Sequence, residues 1–253
     1  SAEGLGQAFN FDLLVADYDA AQFRSIIADN LQQAQATGSS TTWVLSNHDV
    51  TRHATRYGLP ALNGRPVKQG TEWVKAGGPA EGLDRDGGLR RAHAATLLLL
   101  GLPGSTYLYQ GEELGLHEVA QITPEQRQDP GFFRGAEFDG LGRDGCRVPL
   151  PWTAEGSSLG FGAGGAHLPQ PAWFAQYAVD VEAADPSSTL SLYREALRLR
   201  HLLQTDETLE WIDTGRADVL RFARPNGWQV VSNFGAEPFD LGADAADAVL
   251  ASL

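Results

Sequence analysis

The chain has 253 residues, of which 42% are hydrophobic, and carries a formal net charge of −13 with a pI near 4.8. That length and apolar content suffice for a sizeable core. The acidity excludes a nucleic-acid partner, whose phosphates need a basic surface, and disfavours docking on an anionic membrane. The longest apolar run, Ala94 to Leu102, is too short to span a bilayer, which takes about 20 residues. Cys146 stands alone, so no internal disulfide framework or zinc cluster is expected. No secretory signal pattern opens the chain, and cytoplasmic is the default location.

In chain order, Phe9 to Leu14 reads as a compact apolar strand. A helix is predicted from about Ala20 to Ala36, where Phe23, Ile26, Ile27, Leu31 and Ala34 keep near-helical spacing and Gly38 supplies the stop. Thr41 to Leu45 is the second strand. Tyr57 to Gly88 is Gly/Pro-rich and reads as a long excursion carrying Trp73 and the only lysines, Lys68 and Lys75. Leu89 to Leu102 follows as a buried helix and Thr106 to Tyr109 as the third strand.

From Gly115 to Asp185 regular periodicity nearly disappears. Phe132, Phe133, Trp152, Phe161 and Trp173 make this stretch too aromatic for a disordered tail, so an ordered active-site flank is expected. Ser187 or Ser188 caps a last amphipathic helix with Leu190, Tyr193, Leu197 and His201 near one side. After Asp206 short strands dominate: Leu209–Ile212, Val219–Ala223, Trp228–Asn233 and Phe239–Leu241, with Asn226-Gly227 as a hairpin turn. The domain boundaries that follow are 1–204, an α/β region with a long insertion over about 115–186, and 205–253, a small antiparallel β domain.

The richest stretch is Thr41 to Arg52. Its apolar strand ends abruptly in Asn47, His48, Asp49 and Arg52, the way α/β enzymes build active sites at the carboxyl ends of parallel strands. An imidazole beside a carboxylate can donate to sugar hydroxyls while the carboxylate accepts from them, which suits a polyhydroxylated ligand. The alternative is a surface turn whose His and Asp satisfy local backbone groups. Because adjacent side chains of a regular strand point to opposite faces, His48 and Asp49 can share a pocket only if the backbone bends there.

SNHDVTR resembles the strand-7 motif of the α-amylase superfamily of glycoside hydrolases. QAFNFDLL at Gln7 to Leu14 is similar to its strand-6 region, and GSTYLYQGEELGL at Gly104 to Leu116 to its strand 8. GRDGCRVPLPW at Gly142 to Trp152 resembles the segment after strand 8 in the α-glucosidase and oligo-1,6-glucosidase branch. LPQPAWF and DPSSTLSLYREALRLRH look like the approach to helix 8 and that helix. The resemblance implies an α/β fold, the C-terminal part of a (β/α)8 TIM barrel (strands 6 to 8) followed by a small antiparallel β domain. A complete barrel takes about 250 residues by itself, whereas this chain shows three strand-then-helix units before the pattern turns all-β.

The resemblance further implies that Asp49 is the transition-state-stabilising carboxylate, gripping the 2- and 3-hydroxyls of the reacting glucose, and that His48 donates to the same hydroxyls. Arg147 matches the arginine that closes the floor of the terminal glucose pocket. Arg52 braces a neighbouring carboxylate or serves the pocket. Arg143 and Asp144 read as a local pair. The adjacent Glu112 and Glu113 read as a solvated loop-shaping pair, and Cys146 as a small buried group. The family's aspartate nucleophile and glutamate general acid come from strands 4 and 5 and have no counterpart in this sequence. The implied protein is a retaining α-glucosidase acting on α-glucoside oligosaccharides, this chain being its C-terminal portion, inactive alone and completed by an N-terminal portion. A transglycosylase or sucrose isomerase of the same superfamily, and a non-catalytic sugar-binding or assembly subunit, are the alternatives. No cofactor or metal is assigned to this chain; any calcium would belong to the N-terminal portion.

Overall fold

The computed structural model describes residues 10–61, 66–134 and 140–252. In chain order its elements are α1 (Ala20–Thr37), β1 (Thr42–Val44), α2 (His53–Arg56), α3 (Pro66–Lys75), α4 (Arg85–Gly101), β2 (Ser105–Tyr107), α5 (Pro130–Phe133), α6 (Val179–Ala184), α7 (Thr189–Leu202), β3 (Glu210–Trp211), β4 (Val219–Ala223) and β5 (Gln229–Asn233), joined by turns and short 3-10 helices. The chain forms two compact units. One comprises Ser1–Leu45, Arg90–Tyr107 and Arg194–Leu253, and the other Ser46–Leu89 and Leu108–Tyr193.

In the first unit, α1 starts where the Asp19 side chain accepts from the Gln22 N–H (2.9 Å), satisfying a donor that no helical carbonyl reaches. It stops at Gly38, whose φ of 63° lets the chain turn left-handed while its N–H reaches back to the last turn. Phe23 and Ile27 bury the inner face. β1 is buried along its whole length, as expected of a parallel strand covered on both faces. It pairs in parallel with β2, Thr42 opposite Ser105 and Val44 opposite Tyr107. Gly104, at φ 97°, permits the pairing: a Cβ there would sit 2.5 Å from the Thr41 carbonyl oxygen.

The last strands form an antiparallel sheet in the order β3-β4-β5. Its hairpin closes at Asn226-Gly227, with Gly227 at φ 93° and the Arg224 N–H donating to the Trp228 carbonyl at 2.9 Å. Phe222 is fully buried edge-on to Trp211, ring centres 5.6 Å apart. Arg224 Nη1 donates to the Gly101 carbonyl (2.8 Å) and Arg200 Nη1 to the Leu100 carbonyl, two cations satisfying carbonyls that α4 leaves unpaired at its end, while Arg200 Nη1 also reaches the Leu102 carbonyl just beyond it (2.9 Å).

In the second unit, the long segment after β2 has little regular structure but a continuous core of Leu114, Leu116, Val119, Val148, Phe174 and Leu190. Ser188 caps α7, its Oγ accepting from the Ser191 N–H at 3.1 Å. No helix among the described residues is long and apolar enough to cross a membrane.

Several sequence expectations shift. Asn10–Leu14 is not a strand; the Asn10 side chain accepts from the Asp12 N–H (2.9 Å) and the Val15 N–H returns to the Phe11 carbonyl (3.1 Å). Such local bonds offer the backbone an alternative to a ladder. Phe9, where that strand was to begin, lies outside the described residues. The excursion from Tyr57 contains a helix, α3, and Phe239–Leu241 forms no strand.

Candidate active site

β1 ends at Val44, and the chain then turns, so that His48 and Asp49 lie in a tight turn rather than on the strand itself. The turn has a local cause: the Asn47 side-chain oxygen accepts from the Asp49 N–H at 2.8 Å, an Asx turn built by a short polar residue. This bend lifts the alternation that would have sent the two side chains apart. His48 Nε2 lies 3.3 Å from Asp49 Oδ1, and both groups are open to solvent.

The turn is closed from below. Ser46 Oγ accepts from the His53 N–H (3.1 Å) and shares a hydrogen bond with His53 Nδ1 (2.7 Å), joining the two ends of the segment that carries His48 and Asp49. Arg52, buried beneath, donates through Nη1 to the Gln110 carbonyl (2.8 Å) and through Nη2 to the Cys146 carbonyl (3.0 Å). Its backbone N–H donates to Glu118 Oε2 at 2.9 Å. Arg52 thus binds three segments, chiefly through carbonyls, with a carboxylate on its own amide.

The segment around Cys146, itself buried, forms the second half of the site. The 3-10 turn Asp144–Cys146 sits close against the chain because Gly145 has no side chain; a Cβ there would lie 2.3 Å from Glu118 Oε1 and 2.4 Å from the Val119 carbonyl oxygen. The two arginines flanking this turn both reach the His48-Asp49 turn. Arg147 Nε donates to the His48 carbonyl (2.9 Å), and its Nη2 lies 3.3 Å from Asp49 Oδ1. Arg143 Nη1 lies 2.6 Å from the same oxygen. His48, Asp49 and Arg147, selected from the sequence, therefore do come together.

Two members of the cluster were not expected from sequence. Arg143 does not pair with Asp144, whose carboxylate instead accepts backbone N–H groups of Gln128 and Asp129. Arg143 spans to Asp129, Nε to Oδ2 at 2.7 Å, while Arg147 Nη1 is 3.2 Å from that Oδ2. The Asp129 side chain is fully buried, and the hydrogen bond from Arg143 chiefly holds its carboxyl down to about 2. It is an anion at any ordinary pH. The only sequence trace of Asp129 is its place before Pro130, where it caps α5 by accepting from the Gly131 N–H (2.7 Å).

Glu112 departs from expectation in the opposite sense. It is buried, not solvated, and burial pushes its carboxyl up to about 8, so it is largely protonated at neutral pH. Its Oε2 lies 3.4 Å from His53 Nδ1. Burial likewise raises Glu118 to about 7 and the Cys146 thiol to about 12, which leaves Cys146 inert as a nucleophile. No group of three or more His, Cys, Asp or Glu residues among those described is placed to hold a metal ion.

Known proteins resemble this chain in sequence and fold. Residues 82–207 match the model of the α-amylase catalytic domain. The chain is 33% identical over 227 residues to a probable α-glucosidase of Rhizobium meliloti, covering 87% of this chain and 35% of that protein. It is 24% identical to the α-glucosidase MAL32 of Saccharomyces cerevisiae, covering 87% of this chain and 38% of the relative. Among solved structures, the α-glucosyl transfer enzyme XgtA superposes with a TM-score of 0.65 at 34% identity, over 90% of this chain and 38% of that one. The trehalulose synthase MutB gives a TM-score of 0.67 at 24% identity, over 93% and 44%. The chain thus spans little more than a third of the length of these curated relatives. Its fold is the C-terminal part of a (β/α)8 barrel followed by a small antiparallel sheet, and the chain is homologous to the catalytic domain of the α-amylase superfamily.

Proposed function

We propose that this chain is the C-terminal portion of a retaining α-glucosidase that releases terminal glucose from α-linked oligosaccharides. The observation that carries the reading is the convergence of His48, Asp49 and Arg147 just beyond the end of β1. In that role Asp49 accepts from the sugar 2- and 3-hydroxyls. The bond at the 2-hydroxyl strengthens as the ring flattens toward an oxocarbenium-like transition state, so the contact favours the transition state over the bound substrate. His48 donates to the same hydroxyls, and Arg147 closes the pocket floor.

The reaction runs by double displacement. An acid from the N-terminal portion protonates the leaving oxygen as an aspartate there attacks the anomeric carbon, forming a glycosyl ester. Water, deprotonated by the same acid residue, then releases glucose with its configuration retained. A second reading is favoured by the match to a glucosyl transfer enzyme: a transglycosylase or sucrose isomerase would replace that water by a sugar hydroxyl and keep His48, Asp49 and Arg147 in the same roles. The domain boundary near residue 204 and a cytoplasmic location belong to this proposal as well.

The test uses p-nitrophenyl α-glucoside with the chain alone and with an N-terminal portion bearing the aspartate and glutamate. The chain alone is expected to be inactive, and the combination active. Normal turnover by the chain alone would show that the catalytic carboxylates were misplaced. Glucose binding with no turnover by the combination would favour a non-catalytic sugar-binding subunit.

A further inference from the structure

The carboxylate of Asp49 is held unevenly. Oδ1 faces three donor-bearing side chains: Arg143 Nη1 at 2.6 Å, Arg147 Nη2 at 3.3 Å and His48 Nε2 at 3.3 Å. Oδ2 takes no hydrogen bond among the described residues. A carboxylate offers about four lone-pair sites, so the protein occupies one end of this group and leaves the other.

Arg143 is itself fixed from behind. Its Nε meets Asp129 Oδ2 at 2.7 Å and its Nη2 meets Oδ1 at 3.3 Å, a fork on a carboxylate that is wholly buried. The Gly131 N–H (2.7 Å) and the Arg143 N–H (3.0 Å) hold Asp129 in turn. Only the remaining nitrogen, Nη1, extends to Asp49. A planar guanidinium can hold two carboxylates in a set relation, which the single ammonium of lysine cannot do. Arg147 shares both anions but also donates to the His48 carbonyl, so it serves the backbone of the turn as well.

We propose that Arg143, anchored on Asp129, is a positioning residue that fixes Asp49 through Oδ1 and thereby leaves Oδ2 to receive the vicinal hydroxyls of the substrate sugar. The inference rests on the function proposed above for Asp49, and it adds that Arg143 acts through Asp49 and not on the sugar. Small displacements matter at such a site, since a misplacement of about 1 Å can cost on the order of 10²-fold in rate.

A double-mutant cycle tests this in the protein assembled with its nucleophile and acid. R143Q should lower kcat by about 10-fold or more in the parent protein and by less than about twofold in a D49N background, because residues acting through one another are not additive. R143K, which keeps the charge beside buried Asp129 and so guards against loss of folding, should show the same dependence on background. Equal losses in both backgrounds, or no loss in the parent, would overturn the positioning role. The structural arm needs no activity. In a crystal structure of R143K the Asp49 carboxylate should rotate away from its position here, and an unmoved carboxylate would overturn the inference. A D49N variant with undiminished kcat would instead sink the proposed role of Asp49, so the two failures are distinct.

Discussion

Replacing Glu112 by glutamine should reverse part of the pH dependence of stability. Glu112 is buried, with its carboxyl pushed from 4.5 up to about 8, chiefly by desolvation. The folded chain therefore keeps a proton that the unfolded chain releases above pH 4.5. Ionisation then favours the unfolded state increasingly as pH rises through this window, and the loss is complete near pH 8. At about 1.36 kcal/mol per pKa unit, the shift corresponds to a penalty on the order of 4 kcal/mol at pH 8. Glutamine keeps the shape without the ionisation, while an imperfectly partnered amide costs about 1–2 kcal/mol at every pH. The variant should thus be slightly less stable than the parent at pH 5 and more stable by about 2 kcal/mol at pH 8. For a chain of this size that is a rise in Tm of about 4–8 °C. Calorimetry of both proteins from pH 5 to 8 gives the difference directly, and contributions from other groups, such as His117, lowered by burial to about 4, cancel in it. A Tm difference that stays constant across that range would refute the reasoning.

Three further outcomes are expected. Ser188→Ala removes the oxygen that caps α7 and should cost about 1 kcal/mol in denaturant titration; an unchanged midpoint would mean that another group caps the helix. Gly145→Ala forces a methyl against Glu118 and the Val119 carbonyl and should destabilise by about 1–3 kcal/mol, with kcat/KM falling as the Arg143–Arg147 turn moves; full stability and activity would show that the turn has slack. Arg147→Ala in the assembled enzyme should raise KM by about 10-fold or more, the signature of lost ground-state binding, and an unchanged KM would remove Arg147 from the pocket floor.

Much of this was legible because local chemistry decided it. The spacing of Phe23 and Ile27 with the stop at Gly38 defined α1, and the Asn226-Gly227 pair defined the last hairpin. The apolar run ending in Asn47, His48 and Asp49 located the candidate site, and the need for a bend there was met by the Asn47 side chain. What escaped was nonlocal or masked. Asp129 and Arg143 lie 14 positions apart in a stretch without periodicity, so no pattern announces their pairing. Gly70 interrupts the pattern of α3 where the helix packs on Thr51; a Cβ there would lie 2.6 Å from Thr51 Cβ. Glu112 looked solvated because its neighbour is also acidic, and only tertiary packing decides that one of the pair is buried.

The proposed role of Asp49, stabilising the transition state of α-glucoside cleavage, is tested most directly by Asp49→Asn in the assembled enzyme. The substitution keeps the size and one accepting oxygen while removing the charge. Steady-state kinetics on p-nitrophenyl α-glucoside should show kcat lowered by at least about 10²-fold, as for other groups that act mainly in the transition state, with KM changed little. A loss confined to KM, with kcat preserved, would contradict the account and reduce Asp49 to a group that binds the sugar equally before and during reaction.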